Sequence, residues 1–291
     1  MICRLCPRNC GALRTETEGR GWCRMPSAPV LARAALHMWE EPPISGTRGS
    51  GTIFFSGCSL GCVFCQNEKI SHRDFGKGVT LERLAEICDE LTAQGAHNIN
   101  FVNPTHYAHT VRALLEAHPL SVPAVWNSGG YDKVETLKGL EGLVDVYLPD
   151  LKYLDPAAAG RSSAAADSPE TARAAIREMV RQTGPCQFDG DGLLKKGVII
   201  RHLILPGQVN QAKAVMDWVA GEFAPGTVLF SLMSQYTPQP GAQGRLARRL
   251  TRVEYRAAAD YMHNCGIIDG FTQERTAARE EYTPPFDLTG V

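Results

Sequence analysis

The chain has 291 residues, 30 basic and 31 acidic side chains, a formal net charge of −1 and 44% apolar residues. That length supports one large single-core domain or two ordinary ones, and so balanced a charge creates no global field to recruit nucleic acid or an anionic membrane. No apolar run approaches the ~18 residues needed to span a bilayer, and Met1-Ile2-Cys3-Arg4 does not open a secretory leader, so a cytoplasmic protein with no membrane and no nucleic-acid partner is expected.

Residues 1–50 lack clear periodicity and are rich in Gly, Pro, Arg and Cys. Apolar contacts alone would not fix such a segment, and it reads as a cysteine-rich N-terminal lobe ordered by ligation. Cys3, Cys6, Cys10 and Cys23 have the spacing C-x2-C-x3-C-x12-C, with Gly11, Gly19 and Gly21 beside them. Four thiolates close a tetrahedral zinc site or fully ligate a [4Fe-4S] cluster. Either leaves no open position, so a structural or electron-transferring site is expected, and spacing does not choose between the metals.

From residue 50 apolar β-type runs alternate with helical stretches, the pattern of a parallel α/β sheet. Thr52–Phe55 is the first strand. Thr80 is a candidate N-cap for a helix over 80–94, with Leu81, Leu84, Ala85, Cys88 and Leu91 as its apolar stripe. A strand at 98–102 precedes a helix at 107–117. A strand at 123–127 precedes a helix at 131–140, and the fourth strand covers 144–148. The Ala- and Ser-rich stretch 157–167 reads as a surface loop or frayed helix, followed by a helix at 168–182. Residues 184–197 read as a hairpin or excursion, before a strand at 198–205 and a helix at 210–223. The sixth strand covers 227–233. A long helix at 245–264 would carry an arginine stripe, Arg245, Arg248, Arg249, Arg252 and Arg256, and 267–271 is a candidate further strand. Residues 274–291, with Glu280-Glu281 and Pro284-Pro285, read as a surface tail. Right-handed crossovers would wind residues 51–273 into a partial (β/α)6 TIM-like barrel with its chemistry at the C-terminal strand ends.

Ten cysteines need explaining, and seven lie in the first 65 residues in two dense groups. In a reducing compartment such spacing points to metal or catalysis rather than disulfides. Cys88, Cys186 and Cys265 stand apart and read as packing residues. Cys58, Cys62 and Cys65 form C-x3-C-x2-C directly after the first strand, with Gly57 and Gly61 letting the backbone wrap closely. Three thiolates hold three corners of an iron–sulfur cube and leave one iron open, which is a reactive position. Zinc would want a fourth ligand, for which His72 is the nearest downstream histidine.

This motif in this context resembles the radical S-adenosylmethionine (SAM) superfamily, and within it proteins similar to pyruvate formate-lyase activating enzyme. The supporting stretches are Cys62-Val63-Phe64-Cys65-Gln66-Asn67, Asn100 to His106, Leu148-Pro149-Asp150-Leu151-Lys152 and Arg201 to Gly207. The resemblance implies a partial barrel of the radical SAM type that reductively cleaves SAM at a [4Fe-4S] cluster. The product is a 5′-deoxyadenosyl radical that abstracts hydrogen from a protein backbone or a small molecule. It also implies a reducing partner such as a flavodoxin or ferredoxin. For the cofactor, it places Phe64 near the adenine and Asn127 within reach. Asn103 and Thr105 stand where relatives carry Gly-Gly-Glu, without the usual carboxylate. Asp150 would accept from an ammonium or ribose hydroxyl, Lys152 would neutralise a carboxylate, and His202 and Pro206 would approach ribose and adenine. The residues alone also admit Asp150 and Lys152 pairing only with each other, and His202 as a core histidine. The rival class is a non-catalytic iron–sulfur electron carrier or metal-binding scaffold, against which the polar strand ends argue.

Overall fold

In chain order the elements are β1 (Val30–His37), α1 (Pro42–Ser45), β2 (Ser50–Phe55), α2 (Glu68–Ser71), β3 (Lys77–Gly78), α3 (Leu81–Ala93), β4 (Ile99–Val102), α4 (Ala108–Ala117), β5 (Ala124–Ser128), α5 (Val134–Lys138), β6 (Val146–Pro149), α6 (Pro156–Ser163), α7 (Ser168–Thr183), β7 (Gln187–Phe188), β8 (Leu194–Leu203), α8 (Val209–Glu222), β9 (Leu229–Met233), α9 (Arg252–Asn264) and β10 (Gly270–Thr272). They come from a computed structural model that describes residues 2–273 and 284–291. One sheet runs β10-β9-β8-β6-β5-β4-β2-β1-β3. Its path from β2 to β10 is parallel throughout. β2 and β10 do not pair, so the barrel is partial and open on that side. Helices cover the outer face and the fold turns its other face inward, which is why the central strands β4, β5 and β6 are buried along their whole length. The outer face packs Leu84, Ile87, Cys88 and Leu91 of α3 against the sheet, with Thr80 accepting a hydrogen bond from Arg83 N as N-cap. Burial pushes the Cys88 thiol up to about 12, as suits a packing residue.

Four expectations change. Residues 30–37, assigned above to the N-terminal lobe, form β1, antiparallel to β2 at the sheet edge. Its Ala-rich sequence carries little strand propensity, so only pairing with β2 reveals it. The stretch after Asp155, read above as a surface loop or frayed helix, narrows to a capped helix, α6: Asp155 caps it by accepting from Ala157 N (2.9 Å) and Ala158 N (3.1 Å), and Pro156 occupies its first position. The long helix at 245–264 is only α9. Thr251 and Glu254 make a reciprocal capping box that starts it at Arg252. Arg245 and Arg248 precede it, Arg248 is tied to Glu254 (2.7 Å), and the arginines form no helical stripe.

The fourth change concerns the tail. Glu280 and Glu281 lie outside the described residues, but 286–290 return along β1, with Leu288 N donating to Ala32 O (3.0 Å) and Ala34 N to Thr289 O (2.8 Å). This covers a strand edge otherwise open to pairing. Phe286 is buried among Ala32, Phe54, Ile70 and Val102, with its ring 5.3 Å from that of Phe54. Phe286→Ala is expected to cost about 3 kcal/mol, the lower end for a buried aromatic, read as a lowered urea midpoint. An unchanged midpoint would show that the tail is not anchored there.

Candidate functional site

β2 delivers Ser56-Gly57 to the cysteine loop. Gly57 has φ +80°, and a Cβ there would sit 2.3 Å from Met25 Cγ and 2.9 Å from the Cys23 carbonyl oxygen, so only glycine lets the N-terminal lobe approach. α6 holds the loop from the other side: Gly61 N donates to Ser163 O (3.1 Å) and Val63 N to Ser162 O (2.9 Å). Arg8 of the lobe clamps both, donating to Ser59 O (2.8 Å) and Ala164 O (2.6 Å).

Each thiol of the loop has polar company. Leu60 N donates to Cys58 Sγ (3.3 Å), Ser71 Oγ to Cys65 Sγ (3.2 Å), and Cys62 Sγ lies 2.9 Å from Ser163 Oγ. Burial, reinforced by the neighbouring triad sulfurs, pushes Cys58 up to about 12, and burial pushes Cys62 up to about 11 despite Lys152. Such thiols stay protonated near neutral pH unless a metal draws the proton off. Among the described residues, no three His, Cys, Asp or Glu side chains converge on a point that would hold a single metal ion. A cube of irons and sulfides is wider than one ion, so its ligands need no common point.

The three cysteines line one cavity together with Leu60, Phe64, Asn103, Asn127, Asp150 and Lys152. No fourth cysteine and no His72 lines it among the described residues. Asn103 takes the left-handed conformation (φ +59°), which asparagine tolerates, and its side-chain amide donates to the Gly57 carbonyl. It therefore ties the end of β4 to the loop. Gly130 follows β5 with φ +74°, and a Cβ there would meet the Asp150 carbonyl oxygen at 2.1 Å.

The same cavity is lined by a charged set, of which Lys152 lies within electrostatic reach of the thiols. Arg201 Nε donates to Asp150 Oδ1 (2.9 Å) and its Nη2 to Asn127 Oδ1 (2.6 Å), while Nη1 lies 3.6 Å from Glu40 Oε2. Lys152 also pairs with Asp150, so the pairing of those two is real but part of a larger network. Burial alone would raise Asp150, but Arg201 and Lys152 hold its carboxyl below the ordinary value. Burial holds Glu40 above its ordinary value against the pull of Arg201. Burial works against the charges of Lys152 and Arg201, and the facing carboxylates keep both protonated.

Three sequence-derived assignments fall outside this cavity. Thr105 is buried and donates to Asp132 Oδ1 (2.7 Å), behind the wall. Pro206 lines a neighbouring cleft with Asp155, Arg161 and Arg245. His202 points to the opposite face of β8 from Arg201, because strand side chains alternate. Its Nδ1 donates to the Leu151 carbonyl (2.7 Å), and burial lowers its pKa from 6.5 to about 4. It is a core histidine. The folded chain then takes up this proton only near pH 4 and the unfolded chain already near 6.5, so acidifying through that window costs stability. His202→Gln is expected to flatten the fall in urea midpoint between pH 6.5 and 4; an unaltered slope would contradict the buried neutral ring.

Sequence reasoning missed Arg201 and Glu40. Arg201 had a signal: a lone cation between Ile199 and Leu203 on one face of an apolar strand. Glu40 had none, since it enters from the irregular segment between β1 and α1. Trp39, Phe54, Met233, Gln235 and Pro284 also line the cavity.

The fold and the mouth define an α/β partial barrel with three thiols at the C-terminal end of its first parallel strand. Residues 52–219 match the Radical SAM superfamily, and the chain belongs to that family of enzymes, whose members use a [4Fe-4S] cluster and SAM. It is 30% identical over 269 residues to the uncharacterized protein MJ0674 of Methanocaldococcus jannaschii, covering 89% of this chain and 73% of that protein. Its fold resembles that of Streptococcus suis SuiB bound to S-adenosylmethionine, with a TM-score of 0.51, 14% identity and 75% of this chain covered. SuiB alone gives 0.52, 14% and 77%. The chain spans about half of SuiB, 48% in both structures. Among the described residues no helix is long and apolar enough to cross a membrane.

Proposed function

We propose that this chain reductively cleaves SAM at a cluster held by Cys58, Cys62 and Cys65 and abstracts hydrogen from a substrate entering the same cavity. The observation that carries this reading is the placement of three thiols, and no fourth among the described residues, on the wall of a cavity that Asp150, Lys152, Arg201 and Glu40 also line. When bound, the cluster supplies one electron to the sulfonium of SAM, which parts into methionine and a 5′-deoxyadenosyl radical. The chain's own residues bind and orient. Lys152 and Arg201 would neutralise the SAM carboxylate, Asp150 would accept from its ammonium or ribose hydroxyls, and Asn127 and Asn103 would offer neutral amide groups. Phe64, buried at the cluster loop and packed edge-on to Tyr153 (6.4 Å), gives the adenine an apolar wall and keeps water out.

A non-catalytic carrier needs no charged cavity of this kind. The reaction is of the oxidoreductase type and similar to that of the activating enzymes, with a protein backbone or a small molecule giving up the hydrogen. A cytoplasmic flavodoxin or ferredoxin supplies the electron, and the N-terminal cysteines form a closed second metal site. Protein reconstituted without oxygen, reduced with dithionite and mixed with SAM should release 5′-deoxyadenosine and methionine. An intact cluster with no release would favour the carrier.

A further inference from the structure

We propose that the back of the triad loop, centred on Val63 and Trp22 and rimmed by Arg8, Arg161 and Arg245, is the face on which an acidic one-electron carrier protein of the flavodoxin type docks. The inference rests on the cluster reading of the triad given above. Within the loop, Cys58, Leu60, Cys62, Phe64 and Cys65 line the cavity, whereas Val63 does not. Val63 stands 57% exposed between two of the three thiols. Val63 N donates to Ser162 O (2.9 Å) and Gly61 N to Ser163 O (3.1 Å), which lays the loop along the end of α6. Trp22 covers the same stretch from the lobe: it is 45% exposed, and a Cβ on Gly61 would meet its Cζ2 at 3.3 Å. Two large apolar side chains therefore stand in solvent on the side of the loop away from the cavity. An electron donor cannot use the cavity while SAM and substrate fill it, and tunnelling falls steeply with distance, so this back is the short route to the thiols.

Charge selects the partner. Elsewhere on the surface arginines meet carboxylates, as in Arg24–Asp74 (2.7 Å), Arg83–Glu90 (2.6 Å) and Arg177–Glu222 (2.7 Å). Around Val63 they do not. Arg161 directly precedes Ser162 and shares a cleft of about 330 Å³ with Arg245 and Leu246, and Leu246 packs against the triad loop's own apolar cluster. Arg8 donates to two carbonyls and lies 3.9 Å over the Trp22 ring. Among the described residues none of these three arginines meets a carboxylate. The nearby carboxylates are engaged: Asp155 caps α6, and Glu254 takes Arg248 and the start of α9. An apolar centre with a cationic rim is the anatomy of a transient interface steered by charge, and it fits a carrier whose surface is acidic. In the complex one electron passes from the anionic flavin hydroquinone, which becomes the neutral semiquinone, to the oxidised cluster, and no bond forms or breaks.

The test drives the reconstituted full-length protein with dithionite in one arm, and in the other with a flavodoxin kept reduced by NADPH and its reductase. Arg161→Glu/Arg245→Glu should match the wild type in iron content and in dithionite-driven release of 5′-deoxyadenosine, because a small reductant needs no docking face. Its kcat/KM for flavodoxin should fall about tenfold or more, and the Kd for flavodoxin measured by calorimetry should weaken in step. The wild-type affinity should fall as salt is added, and that of the variant should respond less. Equal affinities and equal flavodoxin-driven rates, or a wild type whose binding ignores salt, would overturn the proposal. A loss in both arms with the cluster intact would also overturn it, by placing the two arginines in the SAM chemistry. If the double reversal does not fold, Arg161→Gln/Arg245→Gln takes its place: a smaller loss of the same kind is expected, and none would overturn the docking face. A wild type that binds flavodoxin in this salt-dependent way yet releases no 5′-deoxyadenosine with either reductant would instead sink the proposed reaction and leave the docking face standing.

Discussion

Cys62→Ala is expected to lose about four irons per chain relative to the wild type and to release 5′-deoxyadenosine only at background. Cys62 is the most enclosed of the three thiols, packed with Leu60, Phe64 and Tyr153 and 2.9 Å from Ser163 Oγ. No other cysteine lines the cavity among the described residues, so none replaces it. The same burial that pushes its thiol up to about 11 means that ligation supplies the free energy of deprotonation, and a cube missing a corner forfeits it. Serine at this position is expected to fare little better, because its hydroxyl is far harder to ionise than a thiol. Ser163→Ala, by contrast, removes one polar neighbour and should keep its iron. Iron and sulfide analysis alongside chromatographic measurement of 5′-deoxyadenosine reads all three variants. Full turnover by Cys62→Ala would remove the triad from the chemistry.

The parallel core was legible because parallel strands buried on both faces read as near-continuous apolar runs, as in Val146-Tyr147-Leu148 and Val198-Ile199-Ile200. The triad was legible because its ligands are local: three thiols within eight residues need no knowledge of tertiary structure. What sequence did not reveal depends on contacts distant along the chain. β1 is a strand because β2 lies beside it. Residues 286–290 are ordered because β1 offers an edge about 250 positions earlier. Glu40 reaches Arg201 across 161 positions, from a segment with no periodicity. Thr105, His202 and Pro206 were assigned by analogy of position, and strand alternation and turn geometry send each elsewhere. His202 and Arg201 differ by one residue, which on a strand is the difference between helix-facing core and cavity.

Arg201→Met should be the most destabilising single change among the cavity's charged residues, at about 3–5 kcal/mol, the range for removing one partner from a buried ionic network. The side chain is 13% exposed and serves Asp150, Asn127 and Glu40 at once. Without it Asp150 keeps Lys152, but Glu40 is left with neutral amides, Asn127 through contacts of 3.4 Å and 3.5 Å and Asn100. Burial already holds Glu40 above its ordinary value with Arg201 present, and losing the cation raises it further. A carboxyl with a raised folded pKa is easier to bury protonated, so the stability it permits is present in acid and lost as pH rises through that pKa. The deficit of Arg201→Met should therefore widen toward alkaline pH and narrow in acid. Adding Glu40→Gln removes the stranded charge, so the double variant should recover part of the loss, a coupling that a purely steric defect would not show. Arg201→Lys should not restore it, because a single ammonium does not span Asp150 and Asn127 as the guanidinium fork does. Urea midpoints measured across pH for the two single variants and the double variant separate these outcomes. Additive losses with no pH dependence would mean that Arg201 packs the barrel and does not organise its charge.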